Sequence, residues 1–274
     1  MNQERPVYTV SDGSGLTAET VAHTLLTQFP GVEFRHVSLP FVNTHDKLEQ
    51  AVNDICRAGQ ESGVQPLVFT TFVQDDFSER LQHISAEVFN LFEPFINRIE
   101  RALDQHSSHK SGQAHGIANV GKYNRRINAI NYALHCDDGL HTRDYDQATV
   151  ILLGVSRSGK TPTSLYLAMH FGFYAANYPL TEDDFDRRML PSDVVANKER
   201  VFGLTIDPVR LQQIRSERRP NSRYASLSQC QEDVRLAREL FDRNNIPFCD
   251  STGYSVEELG SQIKHQMALQ SELI

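Results

Sequence analysis

The sequence predicts an α/β protein in two parts: an N-terminal α/β domain and a C-terminal domain of the P-loop kinase type with a mainly parallel sheet. Short apolar, β-branched runs alternate along the chain with longer amphipathic segments, a pattern typical of parallel strands joined by right-handed helical crossovers. In addition, residues 154–161 fit the phosphate-binding pattern G-x-x-x-x-G-K-[ST] between a strand-like and a helix-like segment. These two observations carry the prediction.

The N-terminal half contains three predicted strands, at residues 7–10, 32–39 and 67–73. A helix after the first strand would place Val21, Leu25 and Phe29 on one apolar face. A single long helix is predicted after the third strand, because apolar residues recur at helical spacing: Leu81, Ile84, Val88, Leu91, Phe92 and Ile99.

The stretch from Asp104 to Lys122 is polar and rich in small residues, which predicts a linker or long loop. It carries His106, His109 and His115, but no carboxylate or cysteine lies at ligand spacing, so an exposed loop is favoured over a metal site. The predicted organisation is therefore an N-terminal domain over residues 1–103, a linker and connecting helix over 104–145, and a nucleotide-binding domain over 146–274.

The phosphate-binding loop carries the chemistry of the second domain. Its backbone N–H groups and the helix that follows are expected to point at phosphate oxygens. Lys160 would supply a positive charge to the outer phosphates, and the Thr161 hydroxyl would ligate Mg²⁺. A plain glycine turn with an incidental lysine is disfavoured by the flanking strand and helix. The predicted nucleotide-binding residues are Gly154, Val155, Ser156, Arg157, Ser158, Gly159, Lys160 and Thr161.

Asp207 ends the predicted strand over residues 201–206. That position resembles the Walker B aspartate, which holds Mg²⁺ or its water, but an aspartate at a strand-to-helix junction is equally a helix N-cap. The sequence supports the two interpretations equally, and both can be correct. Of the arginines that follow, Arg210 and Arg215 are assigned to a solvated helix face, whereas Arg223, in a predicted loop, is a candidate contact for phosphate or a partner.

The turn over residues 11–15, after the first strand, contains two glycines and two serines. Such a turn forms either a second anion-binding nest or a plain tight turn. Ser11 and Gly13 are candidate contacts for phosphate or a partner. Asp12 is a candidate catalytic base for a hydroxyl acceptor or a Mg²⁺ ligand.

Bulk composition excludes several classes of protein. The formal net charge of −8 argues against nucleic acid as the main partner. No apolar stretch approaches the length of a membrane span, and the N-terminus lacks an apolar signal core. The four cysteines form no C-x-x-C pair, which suits reduced thiols in a cytoplasm. A cytoplasmic protein is expected, and a homodimer is left open.

Segments along nearly the whole chain resemble the family of bacterial phosphoenolpyruvate synthase regulatory proteins. The loop at 154–164 and the Asn-Ser-Arg-Tyr-Ala-Ser segment at 221–226 are the most specific of these. Gly159 favours this branch over relatives that act on pyruvate, phosphate dikinase, and Ser158 stands where some members carry cysteine. The other matching segments are residues 11–13, 17–19, 39–42, 66–69, 137–139, 175–179, 202–208 and 250–252.

The resemblance implies a bifunctional enzyme. It would act as a serine/threonine protein kinase that uses ADP to phosphorylate and inactivate phosphoenolpyruvate synthase (pyruvate, water dikinase) on a threonine. It would also act as a phosphorylase that removes that phosphate with inorganic phosphate and releases pyrophosphate. From the residues alone we predict only a nucleotide phosphotransferase with Mg²⁺, whose catalytic residues would be Lys160, Thr161, Asp207 and Asp12. A P-loop small-molecule kinase or ATPase, or a non-catalytic nucleotide-sensing module, stays open on that basis.

Overall fold

The computed structural model describes residues 4–110 and 120–271, which form two compact units, one on each side of residues 111–119. Part of the predicted linker, including His115, lies outside the described residues. Each unit contains one four-stranded, entirely parallel sheet with helices between its strands. The predicted α/β fold class is confirmed.

The described part of the first unit has four strands and four helices. The elements are β1 (Arg5–Val10), α1 (Leu16–Leu26), β2 (Phe34–Leu39), α2 (His45–Ser62), β3 (Leu67–Thr70), α3 (Asp75–Gln82), β4 (Glu87–Asn90) and α4 (Glu93–Leu103). The strand order is β2-β1-β3-β4, so the first strand lies inside the sheet. The core packs α2 and α3 against one face of the sheet, around Leu48, Ile55 and Phe72.

The predicted single helix through residues 81–99 is wrong. Helix α3 ends at Gln82, the chain forms strand β4, and helix α4 begins at Glu93. Strand β4 pairs with β3 in parallel, with Val88 opposite Val68. Within β4 the burial alternates with a period of two, which fits a strand as well as the apolar spacing fitted a helix. Hydrogen bonding to the edge of β3 decides between the two patterns.

The elements of the second unit are α5 (Val120–His135), β5 (Val150–Gly154), α6 (Lys160–Tyr166), β6 (Ala175–Pro179), α7 (Glu182–Arg187), α8 (Ser192–Ala196), β7 (Val201–Thr205), α9 (Pro208–Arg218), α10 (Leu227–Arg243), β8 (Phe248–Asp250) and α11 (Val256–Gln266). The strand order is β6-β5-β7-β8. Helix α5, which the sequence assigned to the connecting segment, packs through Ala129 and Ala133 on Ala168 within this unit. The predicted domain limits stay a prediction.

Strands β5 and β7 are buried along their whole length, because helices cover both faces of the second sheet. The chain leaves β5 toward β6 on one side and later returns to β7 on the other. In such a sheet, ligands bind at the carboxyl ends of the two strands where this reversal occurs. The loop after β5 lies at that point. Within the described residues, no helix is long and apolar enough to cross a membrane.

Candidate phosphate-binding site

The loop over residues 155–159 joins β5 to α6, as the motif requires. Gly159, the residue before the helix, has a left-handed backbone with a φ of 89°. Gly154 has no room for a side chain, since a Cβ there would lie 2.3 Å from the Leu204 carbonyl oxygen on the neighbouring strand. A side chain would therefore be sterically unfavourable at both glycine positions of the motif. Arg157 has a φ of 76°, a conformation that is strained for a residue with a side chain.

Lys160 is buried in the loop that it follows, with only 5% of its surface exposed. Its Nζ donates a hydrogen bond to the Val155 carbonyl oxygen at 2.9 Å. Burial lowers the pKa of Lys160 to about 8, against the opposing effects of the Asp138 and Asp137 carboxylates. The ammonium group is therefore poorly solvated, and an anion bound in the loop would stabilise its charged form.

Asp137 faces the first turn of α6 and was not predicted as a site residue. Thr161 Oγ1 donates to Asp137 Oδ1 at 2.8 Å, and the fully buried Asn177 donates to the same oxygen through Nδ2. The Asn177 Oδ1 atom accepts a hydrogen bond from the Asp138 backbone N–H at 3.1 Å. The sequence carried one weak signal for this pair, two adjacent carboxylates before a glycine ahead of the loop strand. Their partners lie on other elements, so spacing alone could not assign them a role.

Asp207 is the N-cap of α9. Its Oδ1 atom accepts hydrogen bonds from the backbone N–H groups of Val209 and Arg210, both at 2.9 Å. Its own N–H donates to Thr252 Oγ1 at 2.7 Å. The capping interpretation is confirmed, and the proposed role of Asp207 in holding Mg²⁺ stays a prediction.

The arginines after β7 separate into two environments. Arg215, assigned from the sequence to a solvated face, has 2% of its surface exposed, so that assignment is wrong. It pairs with Asp233 at 2.7 Å and donates to the Ser156 carbonyl oxygen in the loop at 3.3 Å. Arg223 is exposed, and its Nε donates to Gln229 at 3.1 Å. Its contact with phosphate or a partner stays a prediction.

In the first unit, the turn over residues 11–15 joins β1 to α1. Ser11 is buried, and its Oγ accepts hydrogen bonds from Thr71 Oγ1 at 3.0 Å and from the Gly13 N–H at 3.2 Å. Asp12 is partly exposed beside it. Thr71, at the end of β3, is a neighbour of this turn that the sequence did not indicate. The roles predicted for Ser11, Asp12 and Gly13 stay predictions.

His109, in the predicted loop, is part of the first unit. Its Nδ1 lies 2.8 Å from the Val73 carbonyl oxygen, and its ring nitrogens lie 3.4 Å from Asp75 Oδ1 and 3.7 Å from Glu100 Oε1, so a protonated ring forms ion pairs with both. The hydrogen bond to Val73, together with these carboxylates, raises the pKa of His109. Among the residues that the structure describes, no group of three or more His, Cys, Asp or Glu side chains is placed to hold a metal ion.

Comparison with known proteins places these features in a family. A family model described as kinase/pyrophosphorylase matches residues 7–263. Three relatives carry the name "Putative phosphoenolpyruvate synthase regulatory protein". That of Aromatoleum aromaticum is 49% identical, covering 97% of this chain and 96% of the relative. That of Alcanivorax borkumensis is 46% identical, covering 98% and 99%. That of Legionella pneumophila strain Corby is 45% identical, covering 98% and 100%.

Proposed function

The chain belongs to the kinase/pyrophosphorylase family, and from that premise we propose that it is a bifunctional regulator of phosphoenolpyruvate synthase. In one direction it phosphorylates a threonine of that enzyme with ADP and inactivates it. In the other it removes the phosphoryl group with inorganic phosphate, releases pyrophosphate and reactivates the enzyme. One observation carries the proposal: a complete phosphate-binding loop in a chain that matches, over nearly its whole length, relatives named for this regulation.

Both reactions move one phosphoryl group between two oxygen atoms. In phosphorylation, the threonine oxygen attacks the β-phosphorus of ADP, the bond to the bridging oxygen breaks, AMP leaves, and the hydroxyl proton passes to a base. In the reverse direction, an oxygen of inorganic phosphate attacks the phosphorus of phosphothreonine. The bond to the threonine oxygen breaks, that oxygen takes up a proton, and pyrophosphate forms. Because the phosphoryl group occupies the same position in both reactions, one loop can serve both.

In this proposal the loop N–H groups and Lys160 stabilise the negative charge on the transferred group. Two carboxylates are candidates for the base. Asp138 is exposed and acts electrostatically on Lys160, whereas Asp137 is already bound by Thr161 and Asn177. Asp12, in the turn of the first unit, is the candidate from the sequence. We favour Asp138, because its carboxylate acts electrostatically on Lys160.

The oxygen donors near Lys160 also suit Mg²⁺. This cation binds in phosphoryl-transfer sites through one or two carboxylate or hydroxyl oxygens together with substrate phosphates. The Thr161 hydroxyl and the Asp137 carboxylate lie 2.8 Å apart at the first turn of α6 and match that donor set. Asp207 is a further candidate ligand from the sequence. When bound, Mg²⁺ would neutralise phosphate charge.

The proposal is tested by incubating the purified chain with phosphoenolpyruvate synthase and ADP labelled at the β-phosphate, followed by mass spectrometry of the target. The expected result is label on one threonine and release of AMP. Adding unlabelled phosphate should then transfer the label into pyrophosphate. Labelling of a small metabolite in place of the enzyme would indicate a small-molecule kinase. Nucleotide binding with no transfer would indicate a sensing module, and either outcome would overturn the proposal.

A further inference from the structure

A buried arginine lies behind the phosphate-binding loop. Arg215, on α9, donates through Nη1 to Asp233 Oδ2 at 2.7 Å and to the Tyr224 carbonyl oxygen at 3.1 Å. Through Nη2 it donates to the Ser156 carbonyl oxygen at 3.3 Å. Its Nε is buried with no hydrogen-bond partner among the described residues. Burying a guanidinium group is costly even when it is paired, so stability alone is a weak reason for this arrangement.

Tyr224 contacts Ser156, the loop residue bound by Arg215, at a second atom. The Arg215 guanidinium lies 4.3 Å from the centroid of the Tyr224 ring, a cation–π contact. The Tyr224 hydroxyl lies 2.9 Å from Ser156 Oγ. Ser156 is therefore bound at its carbonyl oxygen by Arg215 and at its side chain by Tyr224.

The orientation of Arg215 is itself fixed by a second group of side chains. Asp233 accepts from Arg215 at one carboxylate oxygen and from Gln229 Nε2, at 2.7 Å, at the other. With both oxygens used, the Asp233 carboxylate cannot rotate freely, and the guanidinium beside it keeps its direction toward the loop. Arg215 also acts electrostatically on Lys160 and lowers its pKa, so its charge reaches the phosphate-binding region.

The residue after Ser156 explains why the loop needs this support. Arg157 has a left-handed backbone, which is strained for a residue with a side chain and persists only where the surroundings enforce it. On the other side, Lys160 binds the Val155 carbonyl oxygen. Cationic groups thus hold the carbonyl oxygens of residues 155 and 156, the second of them directly before the strained residue.

We propose that Arg215 and Tyr224 are positioning residues, which fix Ser156 and so hold the phosphate-binding loop in its binding conformation. They act through Ser156 and need no contact with the substrate. The proposal rests on the proposed function only in taking ADP as a ligand of the loop.

The clearest test is Tyr224→Phe, which keeps the ring and its contact with Arg215 and removes only the hydroxyl. We expect ADP to bind about fivefold to tenfold more weakly by calorimetry, the effect of one lost hydrogen bond. The thermal midpoint should be nearly unchanged. Ser156→Ala should weaken binding by a similar factor, and the double variant should be no weaker than either single variant, because both changes remove the same contact. Tyr254→Phe, an exposed tyrosine of the same unit, is the matched control and should bind as the wild type does.

Three outcomes would overturn the inference. If Tyr224→Phe binds ADP as tightly as the wild type, or if the two single effects add fully in the double variant, Tyr224 does not position the loop, while the proposed function stands. If the wild-type chain binds neither ADP nor pyrophosphate, both proposals fail. Arg215→Lys, which keeps the charge but not the fork of donors, should lose more affinity than Tyr224→Phe if it folds.

Discussion

The two units share the same sheet topology and the same connection after the first strand, but they differ in the side chain at the first residue of the following helix. In each sheet the second strand lies on one side of the first strand, and the third and fourth lie on the other. The connections after the first strands, residues 11–15 and 155–159, have the same length. Each ends in a left-handed glycine, Gly15 with a φ of 79° and Gly159 with a φ of 89°. The first helical residue is then Leu16 in one unit and Lys160 in the other.

This difference shows that the shared backbone topology alone does not determine the chemistry of a site. Leu16 is 64% exposed, whereas Lys160 is 5% exposed and bound to the loop. At the next position, Thr161 donates to Asp137, whereas Thr17 is exposed. Both units have a strand, a glycine turn and a helix at this position, but the buried lysine and the threonine bound to an aspartate lie in the second.

The largest expected effect comes from Lys160→Ala, which should slow transfer in both directions by about a thousandfold, because a preorganised donor of this kind supplies up to about 4 kcal/mol. Leu16→Ala, at the corresponding position of the first unit, should leave both rates unchanged. Rates are measured in the labelled-ADP assay and its reverse, with circular dichroism to confirm folding. Near wild-type transfer by a folded Lys160→Ala chain would remove the contrast between the units.

Two glycines, Gly154 before the loop of the second unit and Gly13 within the turn of the first, should differ in their tolerance of alanine. Gly154→Ala places a Cβ 2.3 Å from the Leu204 carbonyl oxygen, a backbone atom that cannot move away easily. We expect a loss of about 3 kcal/mol in the free energy of unfolding, as for overpacked cores. Gly13→Ala meets only Ser11 Oγ at 3.9 Å and should lose well under half as much. Denaturant titration of both variants measures the difference, and equal losses would contradict it.

The base for the threonine hydroxyl should lie in the second unit. Asp138→Asn should slow phosphorylation by about a hundredfold, since general bases contribute at least that much. It should slow the reverse reaction less, because inorganic phosphate is already anionic. In Asp12→Asn, the loss of phosphorylation rate and the loss of dephosphorylation rate should be more nearly equal. The reverse pattern, with phosphorylation selectively lost in Asp12→Asn, would place the base in the first unit.

The Mg²⁺ requirement of the reaction should depend more on Asp137, the partner of Thr161, than on Asp207, the N-cap of α9. Asp137→Asn and Thr161→Val should each raise the Mg²⁺ concentration for half-maximal transfer by about tenfold, as for the loss of one oxygen ligand or its support. Asp207→Asn should change it less, and asparagine still caps a helix. Mg²⁺ titrations at fixed ADP measure these shifts, and a larger shift for Asp207→Asn would restore the sequence-based assignment.

The smallest effect is a pH dependence confined to the second unit. Because the pKa of Lys160 is lowered to about 8 and phosphate binds the charged form, ADP affinity should change little between pH 7 and pH 8. Above pH 8, affinity should fall by at most tenfold per pH unit. Lys160→Arg, which stays charged over this range, should bind with no such fall. Calorimetry between pH 7 and pH 9 tests both, and parallel curves for the two proteins would assign the titration elsewhere.

The sequence by itself determined the features whose causes are local. The strand, glycine loop and helix around residues 154–161 and the alternation of strands and helices depend on residues within a few positions of one another. Backbone sterics and hydrogen bonds act over that range, so a short window of sequence is enough to predict them.

Only the tertiary structure decided what depends on contacts between distant residues. Strand β4 formed in place of a helix because the edge of β3 was available to it. Asp137 became a partner of Thr161 across 24 positions, and Arg215 reached Ser156 across 59. Residue type suggested a solvated arginine at position 215 and gave no site role to Asp137. Packing buried the arginine and turned the first aspartate toward the loop, because the free energy of a buried charge depends on which groups surround it.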